Sequence, residues 1–398
     1  MAFSLTRTAP CPYCYEHIDP RRLSFRCGSR PAPGRPVCTK QEDTLRRTVL
    51  GDATPVLPSF EPAGRRVPGA TGAICPDCGG TTGTRVCPRC HSVLPATFSA
   101  DSPLFGIVGV RGSGKTVMLS MLTKELTSSV ARRFDANIDA VGGSNLLTRL
   151  ENIRQGIETG TGQLPDQTAA NTQIDTVPAV YEWQIEKPVI GGISRRVSTI
   201  LSFYDTAGED LASTESTRDQ HYLGAAGGLI LLLDPFGFPE NHELAVQRGV
   251  DPNSLRDTPV SVLHSLTQML REAERLRANK KIKVPVAVVL AKIDAFFSEV
   301  GPEDPIRQPS STEAVYDEAE AADLHHYVES LVSQWGGDDV LTMLRFNYST
   351  YRFFVASSLG AEPDYRTRHV SSKGVRPHRV AEPLLWLMAQ RGFIPSEG

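Results

Sequence analysis

From residue 104 onward the chain alternates between short apolar runs and longer stretches whose apolar residues recur at helical spacing. Residues 104–109 (LFGIVG) suit a buried strand, and a glycine-rich turn follows at once. Helical patterns then cover 117–130 and 145–157. Two strand-like runs at 180–186 and 197–204, separated by 187–192, predict a hairpin with a rather long loop. The run 228–234 carries no polar residue before its final aspartate, as expected of a central parallel strand. Leu263, Leu266, Leu270, Ala273 and Leu276 make one stripe, predicting an amphipathic helix over 258–279. A further strand is expected at 284–290, with Pro285 near its entry. Leu324, Val328, Leu331 and Trp335 mark a helix that stops at Gly336 and Gly337. A last strand at 352–356 and a closing helix at 381–390 complete the pattern. Strands alternating with helices in this way predict an α/β fold, a parallel-rich sheet with helices on both faces.

The first hundred residues follow different rules. They are rich in Pro, Gly and Arg, show little periodicity, and hold all eight cysteines. That division predicts a cysteine-rich module with its linker over 1–98 and an α/β domain over 99–398, in keeping with a length of 398 residues. Cys75-Pro-Asp-Cys78 and Cys87-Pro-Arg-Cys90 are two C-x-x-C knuckles around a Gly- and Thr-rich segment, the spacing of a zinc ribbon. Four thiolates close a tetrahedral, structural site. Cys11-Pro-Tyr-Cys14 is a third knuckle, and Cys27 with Cys38 completes a second set, with His17 as an alternative ligand and pairing across the two groups as an alternative arrangement. Two zinc ions are therefore expected, and they supply much of the folding free energy of so apolar-poor a segment. Protein docking is the expected use of this module.

Charge and hydropathy narrow the field further. A formal net charge of -3 gives no reason to expect nucleic acid as the main partner. The longest apolar run, 229–233, is far below the ~20 residues of a membrane span. No secretory leader is visible at the start, so a cytoplasmic setting is expected.

Gly109-Val110-Arg111-Gly112-Ser113-Gly114-Lys115-Thr116 fits G-x-x-x-x-G-K-[ST] with the required strand before it and helix after it. The glycines let backbone N–H groups turn toward phosphate oxygens, and the helix start adds its positive end. Lys115 reaches the β- and γ-phosphates, and the Thr116 hydroxyl is a Mg²⁺ ligand. Asp205-Thr206-Ala207-Gly208 follows a strand, placing a carboxylate for Mg²⁺ and an N–H for a γ-phosphate oxygen. Ala291-Lys292-Ile293-Asp294 follows the strand ending at Leu290. A carboxylate there accepts from guanine N1 and N2, a donor pair adenine lacks, and the lysine stem covers the base. Ser357, within Ala356-Ser357-Ser358, brings a backbone N–H to guanine O6.

These motifs, GVRGSGKT, DTAG, AKID and ASS, stand in the order of the Ras-like GTPases, and the chain resembles that family over about residues 104–391. With its zinc-ribbon N-terminus it resembles more narrowly the bacterial double-GTPase proteins of conflict or signalling systems. The resemblance implies a Ras-like P-loop three-layer fold, GTP/GDP with Mg²⁺, slow GTP hydrolysis, and a partner protein, with a second GTPase as one option. It implies roles in hydrolysis for Lys115, Gly208, Glu209, Arg111 and a switch threonine, for which Thr168 is preferred over Thr172 and Thr176. Two departures stand out. Ala291 replaces the family's usual Asn, removing a tie between base loop and phosphate loop. Glu209 stands where a water-orienting Gln is common, and its charge would repel a γ-phosphate. Arg111 reads either as an internal arginine finger or as a solvated loop residue. Two other functions fit parts of the sequence: a P-loop ATPase using Asp234 as its Mg²⁺ carboxylate, and a non-catalytic scaffold stabilised by nucleotide.

Overall fold

A computed structural model describes residues 8–62, 71–98, 104–109, 112–142, 145–159, 162–165, 178–189, 193–203 and 222–398. The N-terminal module is built from very short strands: β1 Ala9–Pro10, β2 His17–Ile18, β3 Ser24–Arg26, β4 Ser59–Phe60, β5 Ala73–Ile74, β6 Thr81–Thr82 and β7 Arg85–Val86. One helix, α1 Thr44–Leu50, joins them; Asp43 caps its start by accepting from the Arg46 N–H, and Gly51 ends it at φ 70°. β3 is the hub, antiparallel to both β4 and β7, while β1 pairs with β2 and β5 with β6.

The larger unit begins with β8 Leu104–Gly109 and α2 Lys115–Glu125. The pattern at 117–130 predicts one helix, yet α2 passes into a π-helical turn, Leu126–Val130, and a last short turn, α3 Ala131–Arg133. β9 Ala136–Ala140 and α4 Asn145–Glu158 follow. β10 Ala179–Val189 and β11 Ile193–Phe203 form a long antiparallel hairpin, in register from Ala179↔Phe203 to Val189↔Ile193. Both strands run further than the sequence pattern indicates. Pro188 does not end β10, because β9 pairs with β10 only as far as Ile185 and a missing donor beyond that point breaks no ladder on that side. Then come β12 Ala226–Leu233, α5 His242–Arg248, α6 Pro259–Ala273, β13 Val286–Leu290, β14 Tyr316–Asp317, α7 Glu318–Gln334, α8 Asp338–Asn347, β15 Tyr351–Val355, α9 Glu382–Gln390 and β16 Ser396–Glu397. α6 stops several residues before the expected 279, since Arg275 turns left-handed at φ 50°.

The central sheet has the order β15-β13-β12-β8, and every pair in it is parallel. The antiparallel set β11-β10-β9 continues beside it, with β11 lying alongside β8. Alternate residues of the central strands enter two cores. Leu229, Leu231, Leu233, Val286, Val288 and Leu290 face one way, against α6, α7 and α8. Ile230, Leu232, Ala287 and Val289 face the other, against α2, α4 and α9. This is the three-layer α/β arrangement the alternation predicts, because a parallel strand buried on both faces has no polar side to show.

Candidate functional site

All four central strands end on one edge: β8 at Gly109, β12 at Leu233, β13 at Leu290 and β15 at Val355. Parallel sheets bind ligands outside that carboxyl edge. The phosphate-loop residues after β8 have the backbone a cradle needs. Gly112 and Gly114 take φ 78° and 88°, values that L side chains rarely adopt, and Gly114 leads directly into α2. The Met118 N–H donates to Gly114 O at 2.8 Å, so the first helical turn is formed. Ser113 and Lys115 are buried, and the Lys115 ammonium donates to Gly109 O at 2.5 Å, bridging the two ends of the loop. Thr116 is half-buried on the first turn of α2. These residues suit a phosphate group: a left-handed turn, a helix start and a cation meet there.

The second half of the site follows β13 and β15. Asp294 is buried, and burial pushes its carboxyl above the ordinary aspartate range, opposed by the Ser357 hydroxyl, its own backbone N–H and the nearby Lys292. The Ser357 Oγ itself accepts from Leu359 N–H at 3.2 Å and Gly360 N–H at 2.7 Å, which fixes its side chain. Ile293 N–H donates to Ala356 O at 3.3 Å, joining the two loops. Lys292 lies in the left-handed region at φ 52°, and its Nζ is 2.6 Å from Asp234 Oδ2.

Asp234 follows β12 as the sequence pattern predicts, but its partner Lys292 was not expected. Its other oxygen accepts from Phe236 N–H at 3.1 Å, starting the 3₁₀ turn Pro235–Gly237. Both carboxylate oxygens thus have partners, Lys292 on the loop after β13 and the turn after β12. Val110 and Arg111 of the phosphate loop, Thr168, Thr172 and Thr176, and Asp205, Gly208 and Glu209 lie outside the described residues.

The cysteines form two sets whose sulfurs lie within 4.8 Å of one another, and the pairing differs from the expected one. Cys11, Cys14, Cys87 and Cys90 make the first set; Cys27, Cys38, Cys75 and Cys78 make the second. The knuckles 75–78 and 87–90 therefore belong to different sites, and the groups interleave. The cause is strand direction. β3 and β7 are antiparallel, so Cys27 leaves one end of the pair and Cys87 leaves the other. Thr82 hydroxyl, just before β7, donates to Arg26 O at 2.7 Å and holds the 75–78 knuckle at the Cys27 end. Sulfur separations are 3.8 Å for Cys11–Cys90, 3.9 Å for Cys14–Cys87, 3.5 Å for Cys27–Cys78 and 3.9 Å for Cys38–Cys75. A tetrahedral ion with bonds of about 2.3 Å sets its ligand sulfurs about 3.8 Å apart, so both sets fit zinc. The N–H of Ser29 points at Cys27 Sγ and that of Arg89 at Cys87 Sγ, at 3.2 and 3.3 Å. His17 is exposed and belongs to neither set.

His325, His326 and Glu329 on α7 also converge. His325 Nδ1 accepts from Phe353 N–H at 3.1 Å, so the neutral ring carries its proton on Nε2 and offers no lone pair to an ion there. Glu329 is shared instead with Arg345 and the Tyr351 hydroxyl. That group is structural.

The sheet order, the phosphate turn and the paired loops beyond it define a P-loop nucleotide-binding α/β protein. The sequence model of the family described as Double-GTPase 2 matches residues 104–340, more than half of the chain. The chain belongs to that family. None of the curated proteins matches it. Solved structures with similar outlines include the signal recognition particle receptor SRb-GTP/SRX complex from Chaetomium thermophilum, at 12% identity and TM-score 0.28, over 67% of this chain and 96% of that one. Bacterial selenocysteine-specific elongation factor EF-Sec is 16% identical at TM-score 0.28, over 73% of this chain and 29% of that one. The GTP-bound S. cerevisiae Ski7 GTPase-like domain is 12% identical at TM-score 0.30, over 76% and 53%. The chain thus spans about half the length of the Ski7 chain and less than a third of EF-Sec. At such scores the family match carries the assignment. Among the described residues, no helix is long and apolar enough to cross a membrane.

Proposed function

We propose that this chain is a guanine-nucleotide switch that hydrolyses GTP slowly with Mg²⁺ and alters its grip on a partner protein, in a bacterial signalling or conflict system, with the cytoplasm as its setting. The observation that carries this reading is the buried Asp294, just after β13 on the same sheet edge as the phosphate turn. An ionised carboxylate buried there without a ligand is poorly paired, and the two N–H groups of guanine N1 and N2 supply what it lacks. Adenine offers no such pair. The match to the Double-GTPase 2 family favours guanine over the adenine alternative.

In this reading residues 1–98 are the zinc module, holding two ions, and 99–398 the nucleotide domain. Lys115 exchanges its bond to Gly109 O for oxygens of the β- and γ-phosphates. The N–H groups of residues 112–116 are the backbone donors for the same phosphates. Mg²⁺, when bound, neutralises charge on the β- and γ-oxygens, with Thr116 and Asp205 as its protein partners. Gly208 and one of the threonines, Thr168 first, sense the γ-phosphate. Glu209 in place of an amide makes hydrolysis slow, and Arg111 is the internal candidate for neutralising the developing charge.

The test is single-turnover hydrolysis of GTP by zinc-loaded protein and by Lys115→Ala. Slow turnover in the wild type, lost by about 100-fold or more in the variant, supports a GTPase. Equal release of phosphate by both proteins would assign the site to a scaffold that binds nucleotide without hydrolysing it.

A further inference from the structure

We propose that Asp234 is a positioning residue for the nucleotide base, bracing the loop after β13 from β12 through its ion pair with Lys292. This inference rests on the guanine-nucleotide reading above. β12 and β13 are paired to their last residues, Leu233 opposite Leu290, so Asp234 and Ala291 leave the sheet side by side. Ala291 N–H donates to Leu233 O at 2.9 Å, which fixes the backbone at the start of the base loop. Beyond that bond, the methyl of Ala291 is buried and holds no polar group.

The next residue carries the strain. Lys292 sits at φ 52°, a conformation that L side chains avoid and that persists only where surrounding contacts impose it. Its ammonium reaches Asp234 Oδ2 at 2.6 Å, and the Asp234 side chain is only 5% exposed. The carboxylate is itself aimed by a rigid surround. Phe236 N–H holds Oδ1, the Asn241 amide donates to Pro235 O at 2.9 Å, and the Phe236 ring packs on Phe296 and Tyr365. A free lysine stem samples many rotamers, and a tethered one presents a fixed apolar surface before the base arrives. The base loop is thereby braced from β12, on the strand that also neighbours the phosphate-loop strand β8.

The experiment measures displacement of a fluorescent guanine nucleotide by GDP and, separately, by inorganic tripolyphosphate with Mg²⁺. It uses wild type, Asp234→Asn, Lys292→Met and the double variant. Asparagine keeps the acceptor for Phe236 N–H and removes the charge. The inference predicts that Asp234→Asn weakens GDP at least tenfold while tripolyphosphate, which touches only the phosphate loop, changes less than twofold. Lys292→Met should lose as much, and the double variant little more than either. Unchanged GDP affinity in Asp234→Asn, beside a wild type that binds GDP, would overturn the inference alone. Equal losses for GDP and tripolyphosphate would also overturn it, by showing a general folding defect. A wild type with no affinity for GDP would sink the guanine reading and this inference with it.

Discussion

The two cysteine sites have the same ligands and nearly the same sulfur spacing, yet their surroundings differ. The first, Cys11, Cys14, Cys87 and Cys90, is buried on all sides and shares a core with Val180 and Ile200 of the β10–β11 hairpin. Pro12 O, inside its first knuckle, accepts from the Ser202 hydroxyl at 2.8 Å, and Tyr13 hydroxyl donates to Val141 O at 3.2 Å. Tyr15 packs on Tyr222 with ring centres 5.0 Å apart, and the Tyr222 oxygen accepts from Ile107 N–H of β8 at 3.2 Å. Among the described residues, the apolar neighbours of the second site, Cys27, Cys38, Cys75 and Cys78, are Leu57 and Phe60, and Cys38 is partly exposed. Its nearest apolar neighbours in sequence, Val37 and Ile74, are 59% and 65% exposed. One cysteine set is packed against the β10–β11 hairpin; the other stands on the surface of the module. Ligand chemistry alone does not distinguish them, and neighbours do.

The largest expected effect comes from removing one ligand at each site. Cys87→Ser should unsettle both units, since zinc coordination supplies on the order of 10 kcal/mol to a small metal-folded module and this one is joined to the hairpin. Cys78→Ser should release one ion and leave the main unfolding transition of the nucleotide domain in place. Zinc content per chain and calorimetric unfolding check both; identical melting of the two variants would erase the contrast. Next in size, Tyr15→Ala removes a fully buried aromatic from the junction and should cost roughly 3–5 kcal/mol with zinc content unchanged. Denaturant titration reads this directly, and a loss below about 1 kcal/mol would mean that the junction packs more loosely than described. The smallest change is Ser202→Ala. It strands the carbonyl of Pro12 and should cost about 1–2 kcal/mol in the same titration, whereas a neutral result would remove that bond from the junction.

Much of the nucleotide domain was legible because its signals are local. An unbroken apolar run such as 228–233 has no use in a half-exposed strand, and the stripe on α6 allows one buried face. Gly109, Lys292, Asp294 and Ser357 could be placed at or just after strand ends for the same reason. What escaped depends on distant pairing. β9, with sequence ANIDA, alternates weakly and is half-exposed at the edge, so only its partner β10 defines it. α8 begins directly after Gly336 and Gly337, which read as an ending and serve as one for α7. The cysteine pairing turned on the antiparallel contact of β3 and β7, strands three and two residues long, too short to leave a pattern. Asp234 was noticed for its charge, but its partner lies in the loop after another strand, 58 positions away.

The central claim is that guanine is recognised at Asp294, on the edge where the four parallel strands end. Calorimetric titration of the zinc-loaded chain with Mg-GDP and with Mg-ADP tests it most directly. The account predicts GDP binding at least about 100-fold tighter than ADP, because a site built to pair two N–H groups is left with an unmatched carboxylate by adenine. Equal affinities, tighter binding of ADP, or no binding of either nucleotide would contradict it.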